Sequence, residues 1–116
     1  MADIILYGIP NCDTVKKARK WLDAQGIGYT FHDYKKEGAD PAKLAAWIAA
    51  AGVDTVLNRR GTTWRKLSDA DKADVDAARA VRLLEANPSM IKRPVVEYPG
   101  GLLVGFDEGE WAAALQ

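Results

Sequence analysis

Cysteine is nearly absent from this sequence. Cys12 is the only one, so an internal disulfide is excluded, and a cysteine-based metal site cannot be assembled from it alone. Histidine is equally scarce: His32 stands alone, and neither a zinc nor a haem site, nor any bound cofactor, is expected. Excess charge is lacking too, since 16 basic and 16 acidic side chains cancel. Nucleic acid and an acidic membrane surface are therefore not expected partners. The longest nearly apolar run, Leu44 to Val53, contains Gly52 and falls far short of a bilayer span. Met1-Ala2-Asp3 carries no basic region followed by a long apolar stretch, so no secretory signal is read there. A cytoplasmic location follows as the expectation, and there a free thiol stays reduced.

What remains is the composition of a globular protein. The chain has 116 residues, 48% apolar and 28% charged, which fits one domain over residues 1–116. A monomer is the simplest expectation for its size and neutrality.

The hydrophobic period changes along the chain and predicts the elements. Ile4-Ile5-Leu6-Tyr7 reads as a strand buried on both faces, broken by Gly8, Pro10 and Asn11. From Asp13, Val15, Ala18, Trp21, Leu22 and Gln25 mark one side of a helix, and Gly26 closes it. Tyr29, Phe31 and Asp33 alternate with Thr30, His32 and Tyr34 as a second strand, expected to run parallel to the first. Asp40 and Pro41 open a helix carrying Leu44, Trp47, Ile48 and Ala51, ended by Gly52. A polar stretch, Asn58 to Thr63, precedes Trp64 and Leu67. A further helix is predicted from about Asp71 to Ala86, with Val75, Ala78, Val81 and Leu84 inward and Asn87-Pro88 as its stop. Val95–Tyr98 and Leu102–Val104 flank Pro99-Gly100-Gly101 as a hairpin, and Asp107 with Glu110 opens a terminal helix. The order is β-α-β, a helical insertion at about 40–87, then β-β-α. That is an α/β protein of thioredoxin-like fold with a small central mixed sheet.

Cys12 follows a buried strand and a sharp turn, at the start of a helix. The free N–H groups and positive dipole end of a helix N-terminus favour a thiolate, the reactive form. Lys16, one turn on, adds to this, while Asp13 opposes it. The competing reading is a small buried hydrophobe, the usual fate of a lone cysteine. Its place just past a strand end, where α/β sheets put their chemistry, favours the nucleophile. Val15 stands where a C-x-x-C motif has its second cysteine. A resolving thiol must then come from outside, from glutathione or from a thiol protein.

Tyr7-Gly8-Ile9-Pro10-Asn11-Cys12-Asp13-Thr14 with Lys16-Lys17-Ala18, then Asn58 through Leu67, then Ile91-Lys92-Arg93-Pro94, resemble in order and spacing the arsenate reductase (ArsC)/Spx family, and most closely its YffB-type branch. The resemblance implies a thioredoxin-like fold, a catalytic Cys12, an Arg93 that lines the same site, and a cis Arg93–Pro94 peptide. Arsenate reducers of the family carry further arginines. Here Asn58 occupies one such position, beside Arg59 and Arg60, and Leu103, Val104 and Gly105 occupy the other. Fewer bidentate donors for an oxyanion argue against arsenate. Val15 likewise removes the redox switch usual in Spx regulators.

The function expected is that of a glutathione-dependent monothiol oxidoreductase acting on disulfides or glutathione mixed disulfides. The alternatives are an arsenate reductase using glutathione or glutaredoxin, and a non-catalytic Spx-like binding protein. Arg93 and Pro94 are expected substrate contacts. Arg59 and Arg60, in a basic run with Arg65 and Lys66, form either a solvated face or a site for glutathione carboxylates. Asn11 either orients the turn or touches substrate. His32 and the tryptophans are expected to be structural, with Trp64 also placed to wall a site.

Overall fold

Ile5–Gly8 forms strand β1, the run predicted from its continuous apolar character, and all but its first residue are buried. The structure, a computed structural model, describes residues 4–73 and 75–116; the Met1–Asp3 reading and position 74 lie outside them. The chain divides into two compact units. One combines the residues up to Glu37 with Arg93–Gln116, and the other is Gly38–Lys92.

In the first unit, β1 leads into helix α1 (Asp13–Ala24), strand β2 (Thr30–Asp33) and a short helix α2 (Tyr34–Glu37). Helix α1 buries Val15, Ala18 and Leu22; Trp21 is half-buried, and Gln25 lies exposed past the helix end. Gly26 then turns the chain at φ 70°, a conformation open mainly to glycine. Strands β1 and β2 are parallel, with Tyr7 opposite His32 and Gly8 opposite Asp33. The order of the four-stranded mixed sheet is β2-β1-β3-β4, where β3 is Val95–Tyr98 and β4 is Gly101–Val104. Strand β3 runs antiparallel to β1, with Tyr7 opposite Val95.

The core of this unit is Leu6, Val15, Ala18, Leu22, Val96, Leu103 and Trp111. Burying each of the larger aliphatic side chains contributes about 1.5–3 kcal/mol. Trp111 sits on the last helix, α8, here Glu108–Leu115, and its indole N–H donates to the Gly105 carbonyl (3.0 Å). Asp107 caps that helix by accepting from the Glu110 N–H (2.9 Å), half of the predicted capping box.

The second unit opens as expected. The Asp40 carboxylate accepts from the Ala42 N–H (2.9 Å), Pro41 takes the first helical position, and helix α3 runs Pro41–Ala51 until Gly52 ends it at φ 93°. Short helices follow at Val53–Val56 (α4), Thr62–Arg65 (α5) and Asp69–Lys72 (α6), then α7 at Ala77–Ala86. The single helix predicted from about Asp71 to Ala86 is therefore interrupted. Asp76 is extended and its carboxylate accepts from the Arg79 N–H (2.8 Å), so it caps a new helix rather than continuing an old one. The restart changes the inward face: Ala80 and Leu84 are buried, Val75 and Val81 half-buried, and Ala78 exposed. Leu44, Trp47, Ile48, Val56, Leu57, Ala80, Leu84, Met90 and Ile91 are the buried apolar residues of this unit. No helix among the described residues is long and apolar enough to cross a membrane.

Candidate functional site

Two strand pairings set the site. Gly8 pairs with Asp33 and Tyr7 with Val95, so the turn after β1, the start of α2 and the residues before β3 share one end of the sheet. Gly8 makes this approach possible. A Cβ there would come within 2.9 Å of Val15 Cγ2, on the first turn of α1.

Cys12 is the N-cap residue of α1, with extended backbone (φ −100°, ψ 126°). Its N–H donates to the Ile9 carbonyl (3.2 Å) and its carbonyl accepts from the Lys16 N–H (2.9 Å). Cys12 carries no disulfide, is half-buried, and makes no side-chain capping bond to the helix. Cys12 is not one of the fully buried core residues, although it packs against the core of this unit. Asn11 is exposed on the adjoining turn.

The Arg93–Pro94 peptide is cis, as the resemblance implies. Pro94 is buried, and its carbonyl accepts from the Gly105 N–H (2.8 Å). Beside it stands a residue that the sequence pattern did not single out. Tyr34, 1% exposed, accepts a side-chain hydrogen bond from Arg93 and lies within electrostatic reach of Cys12 and Asp33. Burial pushes its phenol far above the ordinary range; Arg93 draws it back, and Cys12 and Asp33 add to the rise. Tyr34 stays neutral at physiological pH and cannot serve as a base there. Alternation in the sequence makes it one more strand residue. The available signal was Asp33, whose carboxylate accepts from the Lys35 and Lys36 N–H groups (3.0 and 3.2 Å) and turns the chain into α2.

Arg59 and Arg60 belong to the second unit. There Asp54, Leu57, Asn58, Arg59, Arg60 and Lys92 line a cavity of about 250 Å³. Arg59 is ion-paired with Asp54 and lies 5.4 Å from the centre of the Trp64 ring, so Trp64 backs this arginine. The Arg60 N–H donates to Asn58 Oδ1 (3.0 Å), a local turn bond that gives Asn58 a structural use. His32 is placed by Tyr7 (rings 5.0 Å apart) and by Glu37, in keeping with a structural role.

The sequence profile of the ArsC family matches residues 7–114. The chain belongs to the ArsC family. A solved YffB protein superposes with a TM-score of 0.95 at 57% identity, over 97% of this chain and 99% of that one. An arsenate reductase (ArsC) related protein from Brucella melitensis gives 0.77 at 50% identity, over 100% and 96%. The global transcriptional regulator Spx of Listeria innocua is 28% identical over 109 residues, 92% of this chain and 82% of that one. The fold is thus the thioredoxin-like fold of ArsC proteins, and these relatives support a thiol-based redox function for the chain.

Proposed function

We propose that this ArsC-family chain is a glutathione-dependent monothiol reductase with Cys12 as its nucleophile. The observation that carries the reading is a half-buried cysteine, free of any disulfide, at the start of α1, with Arg93 and Pro94 at the same end of the sheet. The Cys12 thiolate attacks the glutathione sulfur of a mixed disulfide. The S–S bond breaks, its electron pair leaves on the substrate sulfur, and that thiolate takes a proton from water. Cys12 is left bonded to glutathione. A second glutathione, as thiolate, attacks that bond, releases oxidised glutathione and restores the Cys12 thiolate. Val15, in place of a second cysteine, makes this outside thiol necessary.

Arg93 is the proposed partner for a glutathione carboxylate, through charge-assisted bonds. Since Pro94's carbonyl is taken by Gly105, an extended substrate adding as a strand would pair with the main chain of Arg93. Arg60 and Lys92 line a basic cavity in their own unit that matches a carboxylate in charge.

Turnover of a glutathionylated peptide with glutathione, coupled to glutathione reductase, tests the reading. Activity that falls to background in Cys12→Ser and after alkylation supports it; activity that survives either overturns it. Arsenate in place of the peptide is expected to consume no glutathione, because Leu103 is buried in the core and Val104 is paired with Val95, where the family's arsenate reducers offer another arginine.

A further inference from the structure

Arginine side chains are long, and a guanidinium beside a reactive sulfur has many rotamers to lose. Arg93 has a fixed point. Asp33 caps α2 and sets the backbone of the first α2 residue, Tyr34, at the sheet end reached by Gly8 and Val95. The Tyr34 ring is 1% exposed, so its place is set by packing. Its hydroxyl oxygen accepts from Arg93, and Cys12 lies within electrostatic reach of the same phenol. Arginine donates in a planar fork, so one bond to the phenol orients the remaining N–H groups.

We propose that Tyr34 is a positioning residue. It holds the Arg93 guanidinium beside Cys12 and so makes the thiol selective for anionic reagents, that is, for disulfides carrying carboxylates near the sulfur. This deepens the glutathione reading and rests on it for the identity of the physiological substrate. The geometric claim, that Tyr34 orients Arg93 toward the sulfur, stands apart from turnover. Tyr34 acts here through Arg93 and exchanges no proton with substrate.

The test is the ratio of two alkylation rates at Cys12, iodoacetate over iodoacetamide. Both react in the same way: the thiolate sulfur bonds to the methylene carbon and iodide leaves with the bonding pair. Only iodoacetate is an anion. Arg93→Ala is expected to lower the ratio about fivefold, the Boltzmann weight of one contact between unit charges in water. Tyr34→Phe, which keeps the ring and removes the hydroxyl, is expected to lower it by a large part of that factor. The double variant is expected to match Arg93→Ala alone, because the phenol has nothing left to orient. A Tyr34→Phe ratio equal to wild type overturns the proposal, as does a double variant in which the two losses multiply. An Arg93→Ala ratio equal to wild type also overturns it, since the guanidinium then does not act at the sulfur.

Should Tyr34→Phe fail to fold, Arg93→Lys reads the same coupling. It keeps the charge and loses the fork, so the ratio is expected to drop toward that of Arg93→Ala. A wild-type ratio in Arg93→Lys means that charge alone suffices and the phenol positions nothing. If instead the wild-type chain turns over no glutathionylated substrate while these ratios behave as stated, the reductase reading fails and the positioning role stands.

Discussion

Arginines occur in both units of this chain, and the two settings differ in what holds the guanidinium. Arg93 donates to a phenol that packing has already fixed. Arg59 is 41% exposed, paired with an Asp54 side chain that is itself 87% exposed, and Arg60 sits on an exposed turn. A buried acceptor loses nothing further on holding its donor, whereas two exposed side chains must both give up rotamer freedom for a pair that solvent screens. On the proposed reading, one arginine held by a buried polar ring makes a better-ordered anion site than a basic run of exposed side chains.

Function should show the contrast most strongly. Arg93→Ala is expected to lower kcat/KM for a glutathionylated peptide by roughly 10- to 100-fold, the range for losing a charge-assisted bond of about 1.5–3 kcal/mol. Arg60→Ala should cost only a few-fold, because an exposed pair contributes about 0–1 kcal/mol. Steady-state kinetics on the two variants decides it. An Arg60→Ala loss as large as that of Arg93→Ala would reverse the ranking.

Stability offers a second contrast, at two glycines. Gly8 faces Val15 Cγ2 at 2.9 Å from where a Cβ would stand, while the Gly61 position meets only Asn58 Nδ2, at 3.6 Å. Gly8→Ala must push α1 away from the end of β1, and is expected to cost about 1–3 kcal/mol, the usual range for overpacking. It should also slow Cys12 alkylation, because the displaced turn carries the thiol. Gly61→Ala, in ordinary van der Waals space, is expected to stay within about 0.5 kcal/mol of wild type. Urea denaturation of both variants measures this.

How much of this was open to sequence reasoning follows from the range of each signal. Strands β1 and β3, helix α1 and the caps at Asp40 and Asp107 were legible because each is set by neighbours within a turn or two. The cis Arg93–Pro94 peptide came with the family resemblance, since residue type alone only permits it. The break before Ala77 was missed because apolar spacing continues across it, and Asp76 reads equally well as a surface residue of a longer helix. Tyr34 was missed for a different reason. Its partner is Arg93, far along the chain, and no local period can show that a tyrosine at a strand end is buried against an arginine before another strand. The β-α-β and β-β-α halves are far apart in sequence, and the candidate site lies where their strands pair.

Tyr34 also makes stability depend on pH. Burial raises its folded-state ionisation above the unfolded value of about 10. Below that pH the phenol is neutral in both states and contributes no dependence. Above it the unfolded chain loses the proton while the folded one keeps it, so the native state binds more protons and stability falls as pH rises. The slope approaches about 1.4 kcal/mol per pH unit. Urea midpoints measured between pH 9 and pH 11 should fall more steeply for wild type than for Tyr34→Phe, which has no phenol to ionise. Equal slopes would mean that Tyr34 is solvated in the native state, and its hold on Arg93 would go with that.

The smallest effect belongs to the exposed pair. Asp54→Ala removes the carboxylate that meets Arg59 but leaves the guanidinium 5.4 Å from the centre of the Trp64 ring. An exposed ion pair contributes about 0–1 kcal/mol and weakens with salt, and the ring contact, at an exposed site, keeps roughly 0.5–1 kcal/mol without it. The expected loss of stability is therefore under about 0.5 kcal/mol, and it should shrink further in 1 M salt, where the Debye length falls to about 3 Å. Thermal melts at low and high salt read both numbers. A loss above about 1 kcal/mol that persists in salt would mean that Asp54 and Arg59 are held as rigidly as Tyr34 and Arg93. The difference between the two settings would then lie in the chemistry around them, since both guanidinium groups would be equally well fixed.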